Sequence, residues 1–192
     1  MLPGLFLVIQ TPVEIQLKRK KMKSTQLPVN EYASFYAPYI NALGEVDLIE
    51  ELEIALHDFI RFVQNIPMDK FDYRYAEGKW DIKEIIQHVI DTERIFAYRA
   101  LRISRNDKTP LPGFEENEYI ENTAANKRSI QDLLTEFSAV RHSNLFLFKS
   151  FSEEQLKRIG IAPNVAVSVR AIGFIMIGHP KHHLKIFQER YL

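Results

Sequence analysis

Three of the six histidines lie within five positions near the C-terminus, in the segment GHPKHHLKIFQERYL, residues 178–192. His179 and His183 are four residues apart, so on a helix both rings project from the same face and can bind one metal ion. His182 lies off that face. The alternative for His182 and His183 together is a solvated last turn, where an imidazolium favours the helix dipole, although the seam counts against this for His183. The two predicted ligands continue a helical seam formed by Val169, Ile172, Met176, Ile186 and Arg190.

A third ligand has to come from another helix, because two imidazoles alone make a weak site. The candidates are His57, His88 and His142. Polar neighbours one turn away, Glu53 and Arg61, place His57 on an outer flank. His142 is ambiguous, and His88 lies on the border of an apolar stripe. Periodicity favours His88 only slightly, and a hydrogen-bonded core histidine is the alternative for it.

Pro180 is the main objection to the histidine pair. Proline removes the amide that would bond the carbonyl of Met176, and it disfavours the α conformation of its predecessor. Either the helix kinks at the site, or a new helical segment begins with Pro180 near its first position. In the second case the four-residue spacing of His179 and His183 would be distorted.

Two carboxylates, Glu84 and Asp91, stand about one turn from His88. Each is a candidate catalytic residue that could orient the imidazole ring or act as a general base. The alternative for both is an ordinary carboxylate on a helix surface.

Three further side chains near His88 could border a site. Trp80 is a candidate cavity wall, although a tryptophan at a helix start commonly serves packing. Arg94 and Arg99 could bind an anionic substrate, and a salt-bridged outer face is the alternative for both.

Four stretches carry the period of an amphipathic helix, which predicts an all-α protein. They predict a four-helix bundle with long connecting loops. Asp81 and Glu84 have the spacing of a capping box at the start of the second helix. The helices are predicted over about 46–66, about 81–105, about 124–150 and 168–191.

Composition limits the partners that the chain can have. Lysine plus arginine and aspartate plus glutamate both number 25, so the formal net charge is zero, with no general attraction to nucleic acid or anionic membranes. The chain has no cysteine, which excludes disulfides and zinc–thiolate sites and fits a reducing cytoplasm. No segment approaches the roughly 20 apolar residues of a membrane span. We expect a cytoplasmic protein without nucleic-acid or membrane partners.

Residues 1–24 are predicted to be a flexible N-terminal extension, and residues 25–192 to form one domain. The apolar start MLPGLFLVIQ lacks the basic region and cleavage site of a signal peptide. Met22 lies inside the basic run KRKKMK and opens MKSTQLPVNEY, which is typical of a natural protein start. We interpret residues 1–21 as an upstream extension or tail. An electrostatic membrane anchor is the alternative for the basic run.

Taken together, the segments KWDIKEIIQHVIDTERIFAYRALRISRND, LPGFEE and GHPKHHLKIFQERYL resemble the DinB superfamily, with its DinB-like and YfiT-like members. The resemblance covers about residues 25 to 192. It implies a four-helix bundle in which one histidine from the second helix and an H-x-x-x-H pair from the last helix bind a divalent metal. The implied ligands are His88, His179 and His183, and the implied assembly is a homodimer.

Members of this family include metal-dependent transferases that use low-molecular-weight thiols and inferred metal-dependent hydrolases. The resemblance therefore implies a small-molecule substrate, either for hydrolysis or for thiol S-transfer. Imidazole ligands suit both zinc and nickel and do not choose between them. The alternative hypothesis is a non-catalytic bundle in which the metal stabilises the fold or a dimer. An open coordination position favours the enzyme, and a fourth protein ligand favours the structural role.

Overall fold

The structure is a computed structural model that describes residues 21–192. In this part of the chain the helices are α1 (Ala37–Asn41), α2 (Leu48–Gln64), α3 (Ile82–Ser104), α4 (Glu116–Glu121), α5 (Ile130–Lys149), α6 (Glu153–Leu156) and α7 (Val169–Ile186). The strands are β1 (Ile159–Ile161) and β2 (Ala166–Ser168). Short 3₁₀ turns occupy Ser24–Gln26, Val29–Glu31, Ser34–Tyr36, Met68–Lys70 and Ala125–Lys127, and a π-helical turn, Phe187–Tyr191, follows α7.

The four long helices α2, α3, α5 and α7 form the predicted bundle, which confirms the all-α interpretation. Helices α5 and α7 each pack against both α2 and α3. The consecutive helices α2 and α3 therefore lie at opposite corners, and the connection over 65–81 crosses the end of the bundle. This crossing explains why that connection is longer than an up-and-down bundle requires.

Asp47 caps the start of helix α2. The Asp47 carboxylate accepts hydrogen bonds from the amides of Ile49 and Glu50, and so satisfies two of the free N–H groups at the helix start. The buried face then follows the three- and four-residue steps of the sequence pattern, and each fully buried apolar side chain contributes about 1.5–3 kcal/mol. This face consists of Leu48, Leu52, Ala55, Leu56, Phe59 and Val63.

The predicted capping box of α3 is confirmed. The Asp81 carboxylate accepts from the Glu84 amide at 2.9 Å, and the Glu84 carboxylate accepts from the Asp81 amide at 2.9 Å. The helix has 23 residues. Its cap fixes where the turns of α3 fall, and hence which face His88 occupies.

Helix α5 begins at Ile130, six positions later than the predicted start at about residue 124. The Ser129 hydroxyl accepts from the amide of Asp132 at 3.0 Å and forms the N-cap. The preceding residues form a 3₁₀ turn, Ala125–Lys127, whose length and polarity resemble a first helical turn in the sequence.

Residues 22–43 cover one side of the bundle. The Met22 amide donates to the Asp47 carboxylate at 2.9 Å, and both Met22 and Ser24 are buried. These two residues belong to the predicted extension over 1–24, of which residues 1–20 lie outside the described part. Lys21 and Lys23, at the end of the basic run, pair with Glu50 and Glu45.

A short antiparallel hairpin, β1–β2, precedes α7 where the sequence pattern predicted only a connection. Its register pairs Ile159 with Ser168 and Ile161 with Ala166. Ser168 then caps α7, because its hydroxyl accepts from the Ala171 amide at 3.1 Å, as predicted from the sequence. Within the described residues no helix is long and apolar enough to cross a membrane.

Candidate metal centre

Helices α3 and α7 bring three histidines together. The Nε2 atom of His179 lies 3.0 Å from Nε2 of His88 and 3.0 Å from Nε2 of His183. One ring nitrogen from each residue can be chosen so that all three lie within 4.8 Å of one another, and all three side chains are buried. The structure thus brings the predicted histidine pair on α7 together with His88 on α3, the candidate that periodicity favoured only slightly.

Pro180 lies inside α7, which runs unbroken through it from Val169 to Ile186. The alternative of a new helical segment starting at Pro180 is therefore wrong, and the carbonyl oxygen of Met176 has another donor. Arg141 Nη2 donates to that oxygen at 2.8 Å. The four-residue spacing of His179 and His183 is consequently kept on one helical face.

Arg141 is fully buried at the centre of the bundle and contacts all three other long helices. It forms two hydrogen bonds with the Glu93 carboxylate on α3, at 2.7 and 2.9 Å, and donates to the carbonyl of Leu52 on α2 at 3.1 Å. Asn144 donates to Glu93 at 3.1 Å. Such a buried pair keeps its charges satisfied only because each hydrogen-bonding group has a partner.

Gly178 brings a further element to the site. A Cβ atom at this position would lie 2.3 Å from the carbonyl oxygen of Tyr39, so only glycine allows α1 to approach α7 this closely. The Tyr39 ring meets the rings of His179 and His182 edge-on, with centroids 5.7 and 5.3 Å away. The short sequence Gly-His-Pro therefore positions α1 and the His179 ring together.

The chemistry of the three rings fits a divalent ion. Burial lowers the pKa of His88 to about 4 and holds the pKa values of His179 and His183 well below the usual range, so all three rings are neutral at pH 7. Neutral imidazole is the form that binds metal. When each ring carries its proton on Nδ1, the three Nε2 lone pairs are available to a cation between the rings.

The outer ring nitrogens differ in their partners. His88 Nδ1 lies 3.4 Å from the Thr92 hydroxyl, which can accept a hydrogen bond from Nδ1–H and so leave the Nε2 lone pair directed into the cluster. His183 Nδ1 is buried and has no hydrogen-bond partner within residues 21–192.

The other three histidines are excluded from the cluster by position. His57 and His142 are exposed, and the His142 ring bonds back to the carbonyl of Ser138 on its own helix at 2.7 Å. His182 is exposed at the rim, as its place off the seam predicted.

A cavity of about 290 Å³ opens beside the three imidazoles. Its walls combine aromatic rings with a few polar groups, which is the usual make-up of a small-molecule site. The lining residues other than the histidines are Phe35, Tyr36, Tyr39, Trp80, Thr92, Phe96, Arg99, Gly113, Phe114, Glu116 and Pro163.

The two carboxylates predicted as catalytic have other partners. Glu84 completes the capping box and pairs with Arg74 at 2.8 Å. Asp91 accepts from the side-chain amide of Gln87 at 2.9 Å, and burial raises its pKa. Neither is among the described residues that line the cavity. Their catalytic role remains a prediction from the sequence.

The other three candidates near His88, Trp80, Arg94 and Arg99, lie in different surroundings. The Trp80 ring packs on the His88 ring, with centroids 5.0 Å apart. The Tyr191 hydroxyl donates a hydrogen bond to the Trp80 carbonyl oxygen at 2.6 Å. Arg94 lies on the outer face, paired with Glu136 at 2.6 Å. Arg99 faces the cavity.

The sequence interpretation missed the cavity residues that α1, the 3₁₀ turn before it and α4 supply. Tyr36 and Tyr39 belong to a short segment without a helical stripe, and Glu116 follows the loop LPGFEE. That loop was already one of the segments of the family resemblance, so its acidic end was an available signal. Burial raises the pKa of Glu116.

Comparison with known proteins bears on this geometry. The sequence pattern of the DinB superfamily matches residues 51–187, which include most of α2, all of α3 and α5, and the whole histidine cluster. The chain belongs to the DinB superfamily. The match confirms the family resemblance from which the three histidines of this DinB protein were predicted as ligands.

Relatives of this DinB protein carry names of one kind. It is 22% identical over 164 residues to an inferred metal-dependent hydrolase of Oceanobacillus iheyensis, covering 84% of each chain. It is 20% identical over 137 residues to an inferred metal-dependent hydrolase of Bacillus cereus, covering 70% of this chain and 78% of the relative.

A solved structure shares the fold of this DinB protein. It is YfiT from Bacillus subtilis, described as a metal-dependent hydrolase by inference, with an unusual four-helix bundle topology. The TM-score is 0.67 at 17% identity, over 74% of this chain and 82% of YfiT. At this identity the likeness concerns the fold alone.

Proposed function

We propose that this DinB protein is a metal-dependent hydrolase that acts on a small molecule, with His88, His179 and His183 as the ligands of a divalent ion. The observation that carries the proposal is the convergence of three neutral, buried imidazoles beside an open cavity. The relatives' names, inferred metal-dependent hydrolases, also support this function. Zinc and nickel are the candidate ions, because both accept imidazole.

An ion at this site would supply Lewis-acid activation of a water molecule and of the substrate's polar group. The protein's own residues prepare the position. The three neutral rings offer lone pairs without cancelling the charge of the ion. Thr92 orients the His88 ring, and Trp80 and Tyr39 pack against the cluster and limit the access of bulk water.

The number of ligands favours catalysis over a structural role. A structural zinc site is usually closed by four protein ligands, whereas a catalytic site keeps a position open. The described residues supply three nearby donors of the metal-binding types, and the cavity borders all three. This arrangement disfavours the alternative of a metal that only stabilises the bundle.

Elemental analysis of the purified full chain tests the metal site. We expect about one equivalent of divalent metal in the wild type and a loss of bound metal in His179→Ala and His183→Ala. His57→Ala and His142→Ala are matched controls, because both rings are exposed outside the cluster. Wild-type protein without metal after loading with zinc or nickel would refute the proposed ligand set.

The reaction requires a separate measurement. The metal-loaded protein is assayed for hydrolysis of a panel of small esters and amides, and in parallel for consumption of a low-molecular-weight thiol in the presence of electrophiles. Hydrolysis that disappears in His183→Ala supports the proposal. Thiol consumption without hydrolysis would assign the site to S-transfer, the second reaction predicted from the family. Homodimer formation and a cytoplasmic location likewise remain predictions.

A further inference from the structure

Among the residues that the structure describes, three arginines are buried, and Arg99 differs from the other two in its partners. Arg141 forms a double hydrogen bond with the Glu93 carboxylate. Arg170 does the same with Glu31. The Arg99 side chain has no ion pair with a carboxylate within residues 21–192, although only 4% of its surface is exposed.

The contacts of Arg99 leave its charge uncompensated. A guanidinium has five N–H donors. Arg99 Nη2 donates to the carbonyl oxygen of Pro112 at 2.8 Å, and the Tyr36 side chain lies within its hydrogen-bonding reach. Both partners are neutral. A buried charge without a counter-charge is strongly unfavourable, so this geometry calls for an anion from outside residues 21–192.

The position of Arg99 shows where that anion would lie. His88, Thr92, Phe96 and Arg99 follow one another at three- and four-residue steps on the face of α3 that lines the cavity. Their spacing puts the backbone of Arg99 roughly 16 Å along the helix axis from that of His88. The Arg99 side chain spans part of this distance, since its guanidinium carbon lies 5.8 Å from the centre of the Phe96 ring.

We propose that Arg99 binds a carboxylate of the substrate, and that the substrates are small monocarboxylates with an aromatic or other apolar body. The inference rests on the hydrolase function proposed above and names its substrate class. A guanidinium matches the planar geometry of a carboxylate with two parallel hydrogen bonds. One guanidinium balances one negative charge, and Glu116 on the same cavity disfavours a second. The apolar body would contact Phe35, Tyr36, Trp80, Phe96 and Phe114.

The test compares an aromatic carboxylate with its neutral amide. Hippurate and hippuramide are titrated into the full chain by calorimetry, with and without zinc. We expect hippurate to bind at least about tenfold more tightly, because its carboxylate forms charge-assisted hydrogen bonds with the guanidinium and the neutral amide does not. Phenyl phosphate is expected to bind more weakly than hippurate. The preference should persist without zinc, since Arg99 acts apart from the imidazoles.

Variants assign the preference to one residue. Arg99→Met should bind hippurate and hippuramide equally, and Arg99→Lys should retain part of the preference because it keeps the charge. Arg94→Met is the matched control and should behave as wild type, since Arg94 pairs with Glu136 on the outer face. Circular dichroism verifies the fold of each variant, and Arg99→Lys decides the question if Arg99→Met does not fold.

Several results would overturn the assignment. They are equal affinity for hippurate and hippuramide in the wild type, no hippurate binding at millimolar concentration, tighter binding of phenyl phosphate, or a preference that survives in Arg99→Met. A preference that His183→Ala abolishes and Arg99→Met keeps would place the carboxylate at the imidazoles instead. A preference that depends on Arg99 in a protein that hydrolyses nothing would refute the hydrolase proposal and leave the carboxylate site standing.

Discussion

Arg141 on α5 donates from Nη2 to the carbonyl oxygen of Met176 on α7 at 2.8 Å. In an uninterrupted helix that oxygen would accept from the amide of residue 180, which is a proline here. A side chain from another helix thus replaces the missing backbone donor. The replacement keeps His179 and His183 on one face of α7 and connects the candidate metal centre to the core of the bundle.

A double-mutant cycle tests this replacement. Pro180→Ala restores an amide at residue 180, so the Met176 carbonyl no longer depends on Arg141. We expect Arg141→Lys to cost about 1 kcal/mol more in the Pro180 background than in the Pro180→Ala background, the net worth of one hydrogen bond. The measurement is urea unfolding of the metal-free proteins. Effects that add to within about 0.5 kcal/mol would show that the two positions are independent.

Two glycines of α7 predict different responses to alanine. A Cβ atom at Gly178 would meet the backbone of Tyr39 at 2.3 Å, whereas a Cβ atom at Gly173 would meet the side chains of Leu48 and Phe148 at 2.7 and 2.8 Å. Both variants gain about 1 kcal/mol of helix propensity, but overpacking against backbone is harder to relieve. We expect Gly178→Ala to lower the unfolding free energy by about 1–3 kcal/mol and Gly173→Ala by less. Equal losses would contradict the close approach of α1.

Trp80 provides a direct signal for metal binding. It is the single tryptophan of the chain, and its ring centre lies 5.0 Å from that of His88. We expect Ni²⁺ or Co²⁺ to quench its fluorescence with saturation near one equivalent. His182→Ala should respond as wild type, because that exposed ring lies outside the three-histidine cluster. Undiminished quenching in His183→Ala would place the ion elsewhere.

The carboxylates Glu84 and Asp91 can be tested by separating stability from turnover. Glu84→Ala removes one half of the capping box and should lower the unfolding free energy by about 1 kcal/mol. Glu84 bonds Asp81 and Arg74, and Asp91 bonds the side chain of Gln87. We therefore expect turnover in Glu84→Gln and in Asp91→Asn to stay within about twofold of wild type. A loss of about 10²-fold or more in either variant would instead establish the general base predicted from the sequence.

The sequence was most informative where a single helix decides the outcome. The stripes of α2 and α3, the capping box at Asp81 and the four-residue spacing of His179 and His183 are local patterns, and each is confirmed in the fold. The start of α5 was predicted too early, because the turn Ala125–Lys127 has the composition of a helical turn but is separated from α5 by the cap at Ser129.

Features that depend on distant contacts could not be predicted in this way. The donor that compensates for Pro180 lies on another helix, and nothing near residue 180 indicates it. Arg94 and Arg99 look alike in the sequence, yet the first pairs with Glu136 and the second faces the cavity. The cavity wall at Tyr39 depends on how α1 folds back on Gly178, which is a tertiary relationship.

The contact between Arg141 and the Met176 carbonyl also constrains how the protein can evolve. A lineage that first replaces Pro180 acquires a backbone amide at residue 180, and the Met176 carbonyl then no longer needs the hydrogen bond from Arg141. A lineage that first loses Arg141 leaves the buried Met176 carbonyl unpaired beside two of the proposed metal ligands. Replacement of Pro180 thus relaxes only this one requirement on residue 141, because the buried Glu93 carboxylate still needs the charge of Arg141.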